Sequence, residues 1–297
     1  MSIFSLLGAV EIGLIFALVA LGVYISFRLL RFPDLTVDGS FPLGGAVCAV
    51  FIAGGSNPWL ATLAATVAGA AAGLITGWLN VRLKIMDLLA SILMMIGLYS
   101  VNLRIMGGPN VPLINDPTLF TILQPAGMPD YVARPLILLV IVASCTLALN
   151  WFFATERGLA IRATGSNARM CRAQGVNTGA MILLGIALSN ALVGLAGALF
   201  VQTQGGSDIS MGIGTIVIGL AAVIVGESIL PSRRVVYATL AVVLGAIVYR
   251  FFIALALNSD FIGLKAQDLN LVTAVLVTIA LIIPQIRHRR AEAPRSL

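Results

Sequence analysis

The length of the apolar runs limits what this chain can fold into more than any other feature. Nine segments, at about 6–27, 39–54, 58–79, 88–106, 135–153, 179–202, 211–230, 235–257 and 269–286, each approach the ~20 apolar residues that a spanning helix needs. Inside lipid a backbone can satisfy its hydrogen bonds only within a helix or a closed barrel. A barrel alternates polarity over strands of about ten residues, whereas these runs are continuous. The expectation is an all-α, polytopic membrane helical bundle of about nine transmembrane helices, within eight to ten, forming one transmembrane domain over 1–297. Composition agrees, with 59% hydrophobic and 10% charged residues against about 25% charged in soluble domains. The first cation is Arg28, so 1–27 lacks the basic start of a secretory signal and is expected to be retained as a span. The second run is short and opens with Pro33, Gly39 and Pro42, which predicts a broken helix with an irregular entry.

Charge counting tests the orientation. With the C-terminus inside, fourteen of the 18 basic residues fall on the cytoplasmic side and four, Arg104, Arg134, Arg250 and Lys265, fall outside or in the outer half. That satisfies the positive-inside rule in every cytoplasmic segment and, with nine spans, puts the N-terminus outside. The net charge of +6 is then a product of topology, and a nucleic-acid partner has no separate support.

Gly69, Gly73 and Gly77 lie four apart on one helical face, and Gly185, Ser189, Gly194 and Gly197 mark a second crowded helix. Both stripes predict close helix packing. Cys48, Cys145 and Cys171 are far apart and His288 is the one histidine, so neither a metal cluster nor a disulfide framework is expected. No constellation for nucleophilic catalysis is present, and no carboxylate dyad. The GxxxxGK[ST] phosphate loop is also missing.

The longest stretch between spans on the expected cytoplasmic side is TERGLAIRATGSNARMCRAQGVNT, residues 155–178. Four arginines and the glycines Gly158, Gly165 and Gly175 punctuate two short helical stretches. The segment reads either as a helix-turn-helix lying on the membrane surface or as a solvated basic loop that fixes topology.

The pattern GLAIRATGSN, followed by AQGVN and SNALVGLAGAL, resembles the coupling region and next helix of permeases in the branched-chain amino acid and ribose ABC importer family. FPDLTVDGSFPLGGA at 32–46 and IGLAAVIVGE at 218–227 are similar to further family segments, the first to a branch described as amino acid, sometimes tryptophan or tyrosine, import permeases. The resemblance implies a coupling helix within 155–178 that docks on a cytoplasmic ATPase through Gly158, Arg162, Ala163, Gly165, Asn167, Gly175 and Asn177, to which the neighbouring Glu156 and Arg157 are added. It further implies a permease homodimer in a bacterial inner membrane. ATP and Mg would be held by the separate ATPase, and a periplasmic solute-binding protein would dock outside. A secondary transporter driven by an ion gradient is the alternative, and it needs mid-span carboxylates, which only Glu227 approaches.

Candidates for the pathway or its gate are Asp34, Asp38, Asn190 and Glu227. Asp34 and Asp38 sit at the irregular entry to the second run, where Asp38 serves either a gate or the N-cap of its own helix. Glu11, Arg104 and Arg250 are the other charges inside runs, and the two arginines are expected to snorkel outward. The outer loop 107–133 holds five prolines, which argue against a long helix there. Arg104, Arg134 and Lys265 are the candidate contacts for a binding protein.

Overall fold

The computed structural model describes residues 3–257, apart from 115, 125, 126 and 233, together with 275 and 278. In chain order the helices are α1 (Ile3–Val23), which winds into a π-helical turn at Tyr24–Leu29, α2 (Val37–Ala53), α3 (Pro58–Leu83), α4 (Asp87–Met106), α5 (Leu119–Leu123), α6 (Asp130–Ala154), α7 (Glu156–Ser166), α8 (Ala168–Ala173), α9 (Thr178–Gln204), α10 (Thr215–Ile229) and α11 (Val235–Leu257). Seven helical segments among the described residues are long and apolar enough to cross a membrane, and α2 is a shorter apolar helix. Eight of the nine runs therefore appear as helices, and the ninth, 269–286, lies outside the described residues. One small ribbon departs from the all-helical plan: β1 (Asn110–Pro112) pairs antiparallel with β2 (Gly206–Asp208), Val111 opposite Ser207. The proline-rich outer loop holds β1 and the one-turn α5, and α6 begins at Asp130, before Pro135.

Helix ends follow local chemistry. The Asn57 side chain accepts from Trp59 N ahead of Pro58 at the start of α3, and Gly205 closes α9 with φ 76, where the missing Cβ removes the left-handed penalty. The end of α1 reverses sharply at Arg31, φ 55. Leu30 N donates to Ile25 O and Phe32 N to Ser26 O, which satisfies carbonyls that the helix leaves open.

The arginine-bearing segments gather at one end of the bundle. There Leu29 and Leu30 meet Gly165 and Gly185, Val81 meets Gly179, and Arg28 meets Glu227. The opposite end holds the ribbon and the Leu119 N to Gln202 bond. Relative to this axis two short helices begin at mid-depth. From Leu29 the chain turns back as an irregular strap, 31–36, and α2 starts beside Asn190, to which Ser40 donates at 2.7 Å. Asn190 lies about 18 Å along α9, itself about 40 Å long at 1.5 Å per residue. After α9 the chain again turns back, through β2 and a 3-10 turn at Ile209–Gly212, and α10 starts beside Asp38.

The two halves repeat each other upside down. A long helix (α1 or α9), a strap, a short helix (α2 or α10) and a long helix (α3 or α11) follow in the same order, and the halves interlock. α9 packs chiefly against α3 and α2, α1 chiefly against α11 and also against α10 and α6, and α1 and α9 pack on each other. This is the inverted-repeat plan of many transporters, carried by backbone path without visible sequence identity.

The first small-residue stripe faces the second crowded helix. A Cβ on Gly69 would meet the Asn190 backbone and one on Gly73 would lie 2.5 Å from Ile186 O, so α3 and α9 run antiparallel with backbones almost touching. Gly44 on α2 likewise lies against the Gly194 backbone. Gly44→Ala and Gly73→Ala are each expected to destabilise the detergent-solubilised protein by about 1–3 kcal/mol, the usual cost of overpacking. Gly97→Ala, in open space, is expected to leave thermal unfolding within experimental error of wild type.

Candidate functional site

Where the strap 31–36 reaches mid-depth it is fixed by a buried polar network. The Asn190 Nδ2 donates to Asp34 Oδ2 at 2.7 Å and to Ile186 O at 3.0 Å. Asp34 Oδ1 accepts from Thr36 N at 3.0 Å, and the Thr36 and Thr76 hydroxyls meet at 2.9 Å. Asp34, Thr36, Ser40, Thr76 and Asn190 are all fully buried. A non-helical backbone at this depth is tolerated only where protein satisfies it, and these side chains do so. Asp34 and Asn190, two of the pathway candidates, are thus brought together as a lock between strap and α9.

Asp38 does something else. It sits in the first turn of α2, whose N-cap residue is Thr36 and whose end carries no side-chain cap. Its carboxylate instead accepts from Ile216 N at 2.7 Å and Gly214 N at 3.4 Å. Asp38 therefore caps α10, satisfying open N–H groups and meeting the positive end of that helix dipole. The reading of Asp38 as the cap of its own helix is corrected to a cap across the repeat, which a local sequence signal cannot reveal.

Beside this contact is a cavity of about 500 Å³ lined by α2, α4 and the strap leading into α10, with Asp38, Asn102, Tyr99 and Ile213 in its wall. Sequence reading passed over Asn102, although an amide in an apolar run is a visible signal. At the arginine-bearing end, Glu227 finds a partner in Arg28, bonded through both carboxylate oxygens at 2.6 and 2.5 Å. That pair ties α10 to the end of α1. Arg250 does not snorkel outward: its guanidinium lies 5.3 Å from the Phe16 ring centre, a cation–π contact beside the stacked Phe16 and Phe41, with Phe200 packed obliquely on both. Glu11 is half-buried in α1.

Residues 155–178 form two short helices, α7 and α8, as a helix-turn-helix. Five of the residues singled out there shape the element. Gly165 lies against the Leu29 and Leu30 backbone, where a Cβ would stand 2.8 Å from Leu30 Cα, and Gly158 lies against Phe152 and Phe153. Asn167 caps α8 through Met170 N at 3.0 Å, Asn177 caps α9 through Ala180 N at 3.1 Å, and Gly175 takes φ 85. Arg162 and Ala163 are half-buried, whereas Glu156 and Arg157 are exposed. Arg169, Arg172 and the apolar Leu159 and Met170 share that exposure, although none was singled out.

Of the three outer cations, Arg104 is exposed in the last turn of α4, and Arg134 pairs with Asp130 at 3.6 Å and reaches Thr203 O at 3.5 Å. Lys265 lies outside the described residues.

The family described as Branched-chain amino acid transport system / permease component matches residues 5–283. The chain belongs to this family. It is a multi-pass membrane protein and a non-catalytic permease component of an ABC-type transport system. The permease is 37% identical over 265 residues to the tyrosine transport system permease protein of Clostridioides difficile (strain R20291), covering 89% of this chain and 86% of that one. It is 28% identical over 255 residues to the galactofuranose transporter permease protein of Escherichia coli (strain K12), covering 85% and 71%. With the ribose import permease protein of the same strain the identity is 26% over 260 residues, covering 84% and 76%. No solved structure matches.

The mid-depth lock yields a stability prediction. Asp34→Ala leaves the Thr36 N–H and one of the two Asn190 Nδ2–H donors without an acceptor, the other staying on Ile186 O, at about 1–3 kcal/mol for each stranded donor. Asp34→Asn retains an acceptor and is expected to lose less. Denaturant unfolding in detergent micelles should rank wild type above Asp34→Asn and Asp34→Ala last.

Proposed function

We propose that this permease is the membrane-spanning subunit of a bacterial ABC importer for an amino acid. It resides in the inner membrane as one of a two-fold pair, with the N-terminus periplasmic and the C-terminus cytoplasmic. The arginine-bearing end is then cytoplasmic, in keeping with the positive-inside rule, and α7 and α8 form the coupling element for the ATPase subunits, which hold ATP and Mg. A periplasmic solute-binding protein delivers the solute at the opposite end, with Arg104, Arg134 and Lys265 as its cationic contacts.

The observation that carries this reading is the seat of Gly165 on Leu29 and Leu30. A surface element that merely fixed topology has no need of backbone contact with the end of α1. Here a displacement of α7 bears directly on α1, from α1 through Arg28 and Glu227 on α10, and from α10 through Ile216 and Asp38 on α2. A rigid-body transition driven from the cytoplasm can thus reach the centre of the bundle. Exposed Arg157, Arg169, Arg172, Leu159 and Met170 give α7 and α8 a surface with charge and apolar area for a partner. The amino acid assignment is supported by the higher identity to the permease named for tyrosine than to the two named for sugars.

Reconstituted in liposomes with its ATPase and binding protein, the permease is expected to take up tyrosine with ATP and to be indifferent to an uncoupler. The double variant Arg169→Glu, Arg172→Glu should lower uptake and ATPase co-purification at least tenfold without changing thermal unfolding. Uptake that follows an ion gradient and needs no ATP would overturn the assignment.

A further inference from the structure

The cavity at mid-depth is a chemically biased site. Its wall is mostly apolar, with Pro42, Met95, Ile96, Tyr99 and Ile213 offering a body-sized surface, and about 500 Å³ is within the range of small-molecule sites. Among the polar groups that line it, Asp38 is the one ionisable carboxylate. Asp38 has no cationic side chain within ion-pair distance among the described residues. The two N–H groups it accepts from leave lone pairs open on the carboxylate, and the helix end offsets only about half a charge. Asn102 is 1% exposed, its Nδ2 donates to Gly39 O at 3.2 Å, and its Oδ1 has no partner among the described residues. A buried acceptor left open costs free energy until a donor reaches it. No arginine or lysine lines the cavity, so a purely anionic solute finds nothing there to neutralise it, whereas the carboxylate of an amino acid arrives beside its own ammonium.

We propose that this cavity is the transit site for the solute and that it selects a primary ammonium carried on an apolar, preferably aromatic, body, with the Asp38 carboxylate as counter-ion. This rests on the import reading above and names the chemistry of the solute within it. The same carboxylate holds the first turn of α10, so an arriving ammonium competes with Gly214 and Ile216 for Asp38 and loosens the contact between the two repeats. Solute occupancy and the position of α10 are thereby coupled through one side chain. A sugar hydroxyl can donate to Asp38 but brings no positive charge to neutralise it.

The test is cysteine protection on the purified full-length chain in lipid nanodiscs. Ser100→Cys, in the cavity wall, is introduced after Cys48, Cys145 and Cys171 are replaced by alanine, and its alkylation by a small thiol reagent is timed. The probes are tyrosine, tyramine, which keeps the amine, and 3-(4-hydroxyphenyl)propionate, which lacks it. Tyrosine and tyramine are expected to slow alkylation at least threefold and the deaminated probe to leave it unchanged. Asp38→Asn should abolish the protection and Asp38→Glu should retain part of it. Equal protection by the deaminated probe, undiminished protection in a folded Asp38→Asn, or no protection by any probe would overturn the proposal. The wild-type probe comparison holds even if the Asp38 variants fail to fold. ATP-driven tyrosine uptake, measured in parallel, separates the two readings: uptake without protection overturns the cavity site alone, whereas loss of ATP-driven uptake overturns the import reading beneath it.

Discussion

The hydrogen bond from Asn190 to Asp34 is the interaction on which the rest of this structure depends. A chain that turns back into a lipid-embedded bundle brings with it N–H and C=O groups that water cannot reach, and each one left open is expensive. Asp34 takes up the Thr36 N–H and the Asn190 amide together, and Ser40 and Thr76 complete the set. With the strap held, α2 can begin at mid-depth, and its first turn can present Asp38 to α10. The second strap has no such lock of its own among the described residues. It leans on Asp38, on the ribbon with β1 and on the packing of Met211 and Gly212 against α2.

This arrangement gives an account of how motion travels. Helices whose backbones touch through Gly44, Gly73 and Gly194 cannot slide by small amounts, because close-packed interfaces are bistable rather than compliant. The contacts that can be exchanged are the polar ones at helix ends: Arg28 with Glu227 near the coupling element, and Asp38 with Gly214 and Ile216 at the cavity. Both involve α10, which in the proposed importer makes that helix the moving part between the ATPase side and the solute.

Much of the fold was legible in the sequence, because a hydrophobic run of the right length has few alternatives in a membrane and a glycine stripe needs a partner. The stripe at Gly69, Gly73 and Gly77 met the helix of Gly185 and Gly194 as its spacing implied. The irregular entry to α2 was visible in Pro33, whereas Gly39 and Pro42, read as part of the same break, lie inside a continuous helix. Legibility failed where the partner is remote. Asp38 acts on a residue 178 positions away, Glu227 is relieved by Arg28 199 positions away, and Arg250 is held by an aromatic ring on α1. The inverted repeat was hidden for a related reason: what recurs is a backbone path, set by different residues in each half. In α7 and α8 the resemblance marked glycines and asparagines that build the turn, and it passed over exposed Arg169, Arg172 and Met170, because shape-determining residues follow a pattern that surface residues do not.

The central claim is that closure of the ATPase subunits is carried through α1 and α10 to the cavity at Asp38. Spin labels at Ser100 on α4 and Ser210 on the strap before α10 report the width of that cavity by pulsed dipolar spectroscopy. With the ATPase assembled, adding ATP with Mg is predicted to shift their separation between two discrete distances, and Gly165→Val, which unseats α7 from α1, is predicted to remove the shift. A single distance that is the same with and without nucleotide, in a preparation that still imports its solute, would contradict the account.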